Sequence, residues 1–506
     1  MRTGVPPVPD RDPRDGLTVS GGAGSTSAVL EDLDHAAGLL LDCAARLGVV
    51  ALQVKQIGLD LRFAGAVFEA PVAFARFEAA LGAVLLGHPG LFGIAAASGA
   101  LGAGLRLATA AYRGVDALTA ATFAQLELTA GYAIGRLITF SGATLLVGAV
   151  GAVGLVGIER LPAVLVTVVR FGGGASLGRL VQAGPQALGR STLRLLAAAP
   201  GAGDAAVNML PAVIAGAFGL PVLARAGARG LVAFAQHAGV ARESSAVRVG
   251  ISPGRRVPTA RGVGDLLNAT GALSPGAGAA PGSMRIDRVT RPGGAAGSRT
   301  TTWVVHVPGT QDWSRTAGRN PFDLSADAAA YTGRPTAIAT AAAHGLRRLG
   351  ARPGDQVLVV GHSLGGIVAA RMASQPGPAD LPRPTHVITA GSPVGHVTMP
   401  RNVFMMSLEH AQDPTPWLDG RPAPSEPNRV LVRADVADPL HSHDVDEYRR
   451  TADRIDTSAD PVLLGARQQL APYLDGPGVS TDSWNMVVQR TGPPGSSAAT
   501  VPAVGR

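Results

Sequence analysis

The sequence predicts an α/β domain in the C-terminal half of the chain, a mostly parallel sheet flanked by helices, preceded by an Ala/Gly-rich all-α region. Two observations favour this division. All four tryptophans lie in the last two-fifths of the 506 residues, whereas Ala, Gly, Leu and Val dominate the first half. From residue 246 onwards, short apolar runs typical of buried strands alternate with helix-like stretches, as in parallel sheets with crossover helices.

Composition divides the chain into four segments. Residues 1–24 are rich in Pro, Gly and Ser and predict disorder. Residues 25–245 predict a hydrophobic helical region, and residues 246–490 predict the α/β domain. The tail, residues 491–506, is again predicted to be disordered. Prolines and acidic residues in the first fifteen positions interrupt the apolar core that a cleaved signal peptide needs, so no such peptide is expected and the chain is predicted to be membrane-associated or cytoplasmic.

The helical region has two alternative interpretations. Apolar residues three and four apart between residues 30 and 54 predict a long amphipathic helix that needs a partner helix. Residues 79–105, 137–158 and 205–224 carry no formal charge and are long enough to cross about 30 Å of hydrocarbon. Because these stretches are rich in Ala and Gly, a soluble all-α domain fits them as well as membrane-embedded helices. The first helix also resembles the helical hairpins of type VII secretion substrates, although their Trp-x-Gly turn is missing.

Charge and cysteine content exclude some classes of function. The net charge is +8 and the pI about 10.5, but the positive residues are almost all scattered arginines. Since no basic block is interleaved with aromatic residues, no nucleic-acid partner is expected. Cys43 is the single cysteine, which excludes an internal disulfide.

A serine lies between a predicted strand and a predicted helix. The apolar residues 357–360 precede the motif Gly361-His362-Ser363-Leu364-Gly365, and residues 366–374 follow it as a helix-like stretch. A nucleophilic serine on such a turn has strained dihedral angles, and glycines two residues before and after it let the strand and helix approach closely. The motif therefore resembles the nucleophile elbow of α/β hydrolases.

A serine hydroxyl needs a histidine base and an acid that orients the histidine, in the chain order Ser, acid, His. Asp413 follows the predicted strand 403–406 and is favoured as the acid, with Asp435 and Asp438 as rivals. His443 is favoured as the base, and His441 is the alternative. A metal site at these two histidines is not expected, because Val445 and Asp446 stand where a dinuclear hydrolase pattern has Asp and His.

The oxyanion hole requires two donors aimed at the substrate carbonyl. The backbone N–H of Leu364 is expected to be the first. The second is assigned to Thr310, in the loop that follows the predicted strand ending at residue 307. Neither donor requires a metal or a cofactor.

Four motifs in order resemble class 3 lipases and related bacterial serine esterases. They are Gly309-Thr310 followed by Trp313, the motif 361–366 with its serine, the Gly-Ser-Pro-Val-Gly sequence 391–395, and the Asp-Pro-Thr-Pro turn 413–416. The third departs from the family pattern, since Gly395 comes one residue early. The resemblance covers residues 300–450 and implies an α/β-hydrolase fold and metal-free ester hydrolysis.

The resulting hypothesis is a serine hydrolase of carboxylic esters, with lipid or other acyl esters as substrates. A thioesterase or acyltransferase would use the same triad. The alternative from another class is a membrane-interaction or secretion-associated helical protein whose hydrolase domain is a scaffold.

Overall fold

We describe a computed structural model of the chain. It describes residues 11–12, 16–22, 26–58, 69–86, 90–110, 243–244 and, with short gaps, 246–491, together with five single residues between 190 and 204. The chain forms two compact units, of which one comprises Thr26–Phe123 and the other Met1–Ser25 with Ala124–Arg506. The apolar stretches 137–158 and 205–224 and the C-terminal residues 492–506 lie outside the described residues.

The smaller unit is helical. Its helices are α1 (Thr26–Gly58), α2 (Pro71–Leu86) and α3 (residues 91–110). Helices α1 and α3 approach closely at Gly102, where a Cβ atom would lie 2.9 Å from the Ala37 carbonyl oxygen. Beside it, the Thr109 hydroxyl donates a hydrogen bond to Asp34 Oδ1 at 2.6 Å. Small residues at this crossing and the polar contact of Thr109 with Asp34 therefore hold the antiparallel pair together.

The larger unit is built on one sheet of eleven strands, in the order β1-β2-β10-β9-β8-β7-β6-β5-β11-β3, with β4 paired to β11. The strands are β1 (Arg11–Asp12), β2 (Leu17–Gly21), β3 (Val247–Ile251), β4 (Arg255–Val257), β5 (Ser283–Pro292), β6 (Arg299–Val307), β7 (Gln356–His362), β8 (His386–Ala390), β9 (Phe404–His410), β10 (Arg429–Ala434) and β11 (Ser480–Arg490).

The sheet is mixed, which corrects the prediction of a mostly parallel sheet. Its centre, from β6 through β7, β8 and β9 to β10, is parallel, but every pairing outside this centre that the structure describes is antiparallel. The antiparallel pairings involve the hairpin β5–β6, strands β1 and β2 near the N-terminus, β3 and β4 from the middle of the chain, and β11 near the C-terminus. Pairings between segments hundreds of residues apart leave no periodic signal in either segment.

One strand of the sheet, β2, lies within residues 1–24, the segment for which the composition predicts disorder. Strand β2 pairs antiparallel with β10, with Val19 opposite Val432. Leu17 is buried in the apolar core beneath the sheet. A polar, Gly-rich segment becomes ordered here because an existing sheet edge satisfies its backbone hydrogen bonds.

Helices cover both faces of the sheet. They are α4 (Val263–Gly271), α5 (Leu324–Thr332), α6 (Ala337–Arg348), α7 (Leu364–Ser374), α8 (Pro414–Trp417), α9 (Val445–Thr457) and α10 (Pro461–Leu470). Alternate residues of β7 separate the two cores. Val357 and Val359 contact the core beneath α5, α6 and α7, whereas Leu358 and Val360 contact the core beneath α4, α9 and α10. The fold is thus an α/β sandwich of three layers.

The parallel centre of the sheet positions the site. Strands β7 and β9 end at His362 and His410, and the acid and base candidates follow β9 and β10 in the chain. Because parallel strands place their carboxyl ends at one edge, these loops meet there.

Candidate active site

Ser363 has a strained backbone. It is the one non-glycine residue with a positive φ among those the structure describes, at φ 53° and ψ −120°, and it directly precedes α7. Its N–H donates to the Ala390 carbonyl at 2.9 Å, and its carbonyl accepts from the Ser392 hydroxyl at 2.9 Å. These contacts with the end of β8 hold the turn in a conformation that costs about 1–3 kcal/mol.

The neighbouring glycines are required by close backbone contacts. A Cβ atom on Gly361 would lie 2.2 Å from the Gly365 carbonyl carbon, and one on Gly365 would lie 2.0 Å from the Val307 carbonyl oxygen. These clashes involve backbone atoms, which cannot rotate away. The sequence reasoning that placed small residues around the serine therefore describes the packing of β7, α7 and β6.

Ser363, His443 and Asp413 form a chain of hydrogen bonds. His443 Nε2 lies 3.1 Å from Ser363 Oγ, and His443 Nδ1 lies 2.8 Å from Asp413 Oδ2. The carboxylate accepts only, so Nδ1 carries the proton and Nε2 is left as the acceptor for the serine hydroxyl. This is the arrangement in which an imidazole removes a proton from a serine.

Asp413 is buried and ionised. Its Oδ1 accepts the Thr415 N–H at 2.9 Å, and its Oδ2 accepts the Tyr448 hydroxyl at 2.7 Å in addition to His443. Burial by itself raises the pKa of Asp413, but the charge of His443 and these donors outweigh it, and the pKa is lowered. The acid therefore stays negative beside the base.

The environment of His443 favours the protonated form of its imidazole. Burial lowers the pKa of His443, but the charge and hydrogen bond of Asp413 outweigh it, and the pKa is raised above 6.5. His441, the alternative base, is exposed and its Nδ1 contacts Asp444 Oδ2 at 2.7 Å. The structure brings His443, and not His441, to the serine.

The rival acids make other contacts. Asp435 Oδ1 accepts the Gln412 side-chain amide at 3.0 Å, and Asp438 forms an ion pair with Arg190 at 2.8 Å. Among the described residues, no group of three His, Cys, Asp or Glu side chains is placed to hold a metal ion.

The two oxyanion candidates adjoin the serine. Leu364 is the first residue of α7, where a backbone N–H has no acceptor within the helix. The loop carrying Thr310 is close, since a Cβ on Gly309 would lie 3.1 Å from Ser363 Cβ. The Thr310 hydroxyl donates to Asp327 Oδ2 at 2.8 Å. This hydrogen bond connects the loop that carries Thr310 to the first turn of α5, where Asp327 lies.

Sequence reasoning missed four residues around the triad: His362, His410, Tyr448 as a partner of the acid, and Asp327. Burial raises the pKa of Asp327 to about 7 against the hydrogen bond from Thr310. The position of the two histidines in the sequence could have indicated them, because His362 and His410 are the last residues of strands in the parallel centre of the sheet.

Comparison with protein-family models, with curated proteins and with solved structures finds no match to this chain.

Proposed function

We propose that the C-terminal domain is a serine hydrolase of the α/β-hydrolase superfamily that cleaves carboxylic esters, with lipid or other acyl esters as its substrates. The observation that carries the proposal is the hydrogen-bonded chain from Ser363 through His443 to Asp413, at 3.1 and 2.8 Å. The strained turn of Ser363 after a central parallel strand adds support. The order of the four motifs, which resembles that in class 3 lipases, also supports the proposal.

The proposed reaction proceeds through an acyl-enzyme. Ser363 Oγ attacks the ester carbonyl carbon while His443 Nε2 takes the hydroxyl proton, and the charged imidazole is stabilised by Asp413. His443 then returns the proton to the departing alcohol as the ester bond breaks. A water molecule then gives a proton to His443 and attacks the acyl carbon, the bond to Oγ breaks, and His443 returns the proton to Ser363 Oγ as the carboxylic acid leaves.

The negative charge that develops on the substrate oxygen needs donors. The proposed donors are the backbone N–H groups of Leu364 and Thr310. Each such donor supports the rate by about 10²–10³-fold. The site residues hold neither a metal nor a cofactor in this scheme.

A fluorophosphonate probe tests the proposal directly. The wild-type chain is expected to be labelled at Ser363, and Ser363→Ala is expected to lose labelling and on the order of 10⁶-fold in ester turnover. Ser252→Ala is a matched control, because Ser252 is exposed and contacts only the backbone of Asn485 among the bonds described. Folded wild-type protein that is not labelled would favour a scaffold role for the domain.

Thioesterase and acyltransferase activities remain alternatives with the same residues. A panel of matched esters, thioesters and amides, each assayed with and without an alcohol acceptor, separates them. Ester hydrolysis without transfer to the alcohol is expected.

The helical unit supports a second proposed property, association with a membrane. The segments Leu30–Ile57 and Val72–Ala110 are long and apolar enough to cross a bilayer, and only 11% and 13% of their apolar windows is buried. Leu39 and Leu52 are 59% and 55% exposed. The charges nearest the middle of α1, Asp42 and Arg46, form an ion pair with each other at 2.8 Å. Paired charges lessen the cost of contact with lipid.

Flotation of the full chain with phospholipid vesicles tests this property. Wild-type protein is expected to float with the vesicles. Leu39→Asp with Leu52→Asp is expected to lower partitioning by at least 100-fold, because an aspartate costs about 3 kcal/mol at the centre of a span and less toward its ends, where these two residues lie. Leu464→Asp, at an exposed leucine of the larger unit, is the control. Wild-type protein that stays at the bottom of the gradient would contradict membrane association.

A further inference from the structure

The proposed base lies on a short connection that makes no regular secondary structure. His443 stands between the 3-10 turn Pro439–His441 and the start of α9 at Val445. The hydrogen bond to Asp413 orients its ring, but the backbone of the connection has to be held separately. A displacement of about 1 Å at a catalytic group lowers rates by about 10²-fold.

His362 holds the carbonyl of the base itself. Its Nε2 lies 2.9 Å from the His443 carbonyl oxygen, and the two imidazole centroids are 4.9 Å apart. A carbonyl only accepts, so Nε2 carries the proton of His362. Since His362 directly precedes Ser363, this bond links the strand of the nucleophile to the backbone of the base.

His410 holds the preceding carbonyl. At the end of β9, its Nδ1 lies 2.6 Å from the Ser442 carbonyl oxygen, so that Nδ1 carries the proton. Its Nε2 then accepts the Thr451 hydroxyl at 2.8 Å. The ring is buried and stacks on Tyr448 at a centroid distance of 3.8 Å and an interplanar angle of 8°.

We propose that His362 and His410 are positioning residues, which hold two consecutive carbonyls of the base connection through opposite nitrogens of their imidazole rings. The inference rests on the proposed serine hydrolase function and extends it. It assigns to the histidine of the Gly-His-Ser-Leu-Gly motif a role in placing His443.

The charge state of both rings suits this role. Burial, together with the charge of His443, lowers the pKa of His362 to about 3, and burial lowers the pKa of His410. Both imidazoles are neutral at pH 7, so they donate their hydrogen bonds without opposing the positive charge that His443 acquires during the reaction.

The use of opposite nitrogens gives a sharp test. A glutamine amide nitrogen reaches the place of Nε2 of a histidine, and an asparagine amide nitrogen reaches the place of Nδ1. His362→Gln is therefore expected to keep the rate of fluorophosphonate labelling and kcat within about 3-fold of wild type, whereas His362→Asn loses about 10²-fold in both. At His410 the order is reversed, with Asn active and Gln impaired.

Three readouts separate positioning from general stability. KM is expected to stay within 2-fold in all four variants, and kcat is expected to fall only in His362→Asn and His410→Gln. The melting temperature is measured for each variant, and a loss of kcat that follows the melting temperature instead of the amide position would overturn the inference. Equal rates for His362→Gln and His362→Asn would also overturn it.

A measurement on the wild-type protein needs no substitution. Imidazole ¹⁵N chemical shifts are expected to show a protonated Nε2 in His362 and a protonated Nδ1 in His410. The opposite tautomer at either residue would refute the assignment. If wild-type protein does not react with the probe, the proposed function fails, which is a different result from reactive wild type with unaffected variants.

Discussion

Removal of one hydroxyl, by Tyr448→Phe, probes how the acid is held. The Tyr448 hydroxyl donates to Asp413 Oδ2 at 2.7 Å and accepts a hydrogen bond from the backbone N–H of His410 at 3.1 Å. Phenylalanine keeps the ring that stacks on His410 and removes both hydrogen bonds. The substitution therefore leaves the packing in place and changes only the polar contacts.

The expected loss follows from these two contacts. A hydrogen bond to a buried carboxylate contributes about 1.5–3 kcal/mol, and a buried N–H left without an acceptor costs about 1–3 kcal/mol. A total near 4 kcal/mol corresponds to a melting temperature lower by about 8–16 °C in a domain of this size. Weaker orientation of the acid is expected to lower kcat/KM by about 10-fold, or 1.4 kcal/mol.

The effect on stability depends on pH in a defined direction. The pKa of Asp413 is lowered in the folded protein, so its contribution is present above its ordinary pKa and is lost as the pH falls through the lowered value. Tyr448→Phe removes one of the donors that lower this pKa. The onset of the loss on acidification is set by the ordinary pKa of the unfolded chain and is expected to stay the same, but the loss is expected to be smaller and complete at a higher pH in the variant.

Thermal melts from pH 3 to pH 8 and initial rates of ester hydrolysis measure both effects. Tyr473→Phe is the matched control, because this buried tyrosine lies 2.9 Å from His386 Nδ1 and 3.1 Å from Thr385 Oγ1, away from the triad. The control is expected to lose stability but keep kcat/KM. Unchanged melting and rates in Tyr448→Phe would refute the reasoning.

Three further predictions concern the acid, the elbow and a buried ion pair. The pKa of His443 is raised, so kcat/KM is expected to reach half its maximum above pH 6.5. In Asp413→Asn, the acidic limb of the pH–rate profile is expected to shift to lower pH and kcat to fall by about 10⁴-fold. Gly361→Ala places a Cβ atom 2.2 Å from a backbone carbonyl carbon and is expected to prevent soluble expression. Gly465→Ala is the control, because Gly465 lies in a helix and a Cβ atom there has no atom within 4 Å. Arg490 forms a buried ion pair with Glu243 at 2.6 Å. Arg490→Met leaves that carboxylate buried without its partner and is expected to lower the free energy of unfolding, measured with urea, by about 3–5 kcal/mol. An unchanged free energy of unfolding would contradict this prediction.

Local chemistry made the proposed nucleophile and the proposed acid predictable. The strand, the turn and the glycines around Ser363 lie within ten residues, and the closest contact of a Cβ atom on Gly361 is with Gly365, four residues further along the chain. Asp413 precedes a proline-containing turn whose N–H it caps, which is again a local arrangement. Short-range geometry of this kind is encoded by residue type and spacing.

The choice between His441 and His443 needed the tertiary structure. The two residues are two positions apart and have the same chemistry, and only the path of the connection turns one toward Ser363 and the other to solvent. That path depends on the carbonyls of His443 and Ser442, which accept hydrogen bonds from His362 at the end of β7 and His410 at the end of β9. Both strands are distant from the connection in sequence. The same holds for the hydrogen bond from Tyr448 to Asp413, which spans 35 residues.

The sequence alone determined which residue types stand at strand ends, the elbow with its strained serine, and an apolar helical segment before the α/β domain. The tertiary structure decided that the sheet is mixed, that β2 from the N-terminal segment completes one edge, and which imidazole meets the serine. The physical reason is the distance along the chain over which each interaction acts. Steric limits and helix or strand periodicity act between near neighbours, whereas strand pairing and the meeting of loops depend on free energy shared by segments hundreds of residues apart.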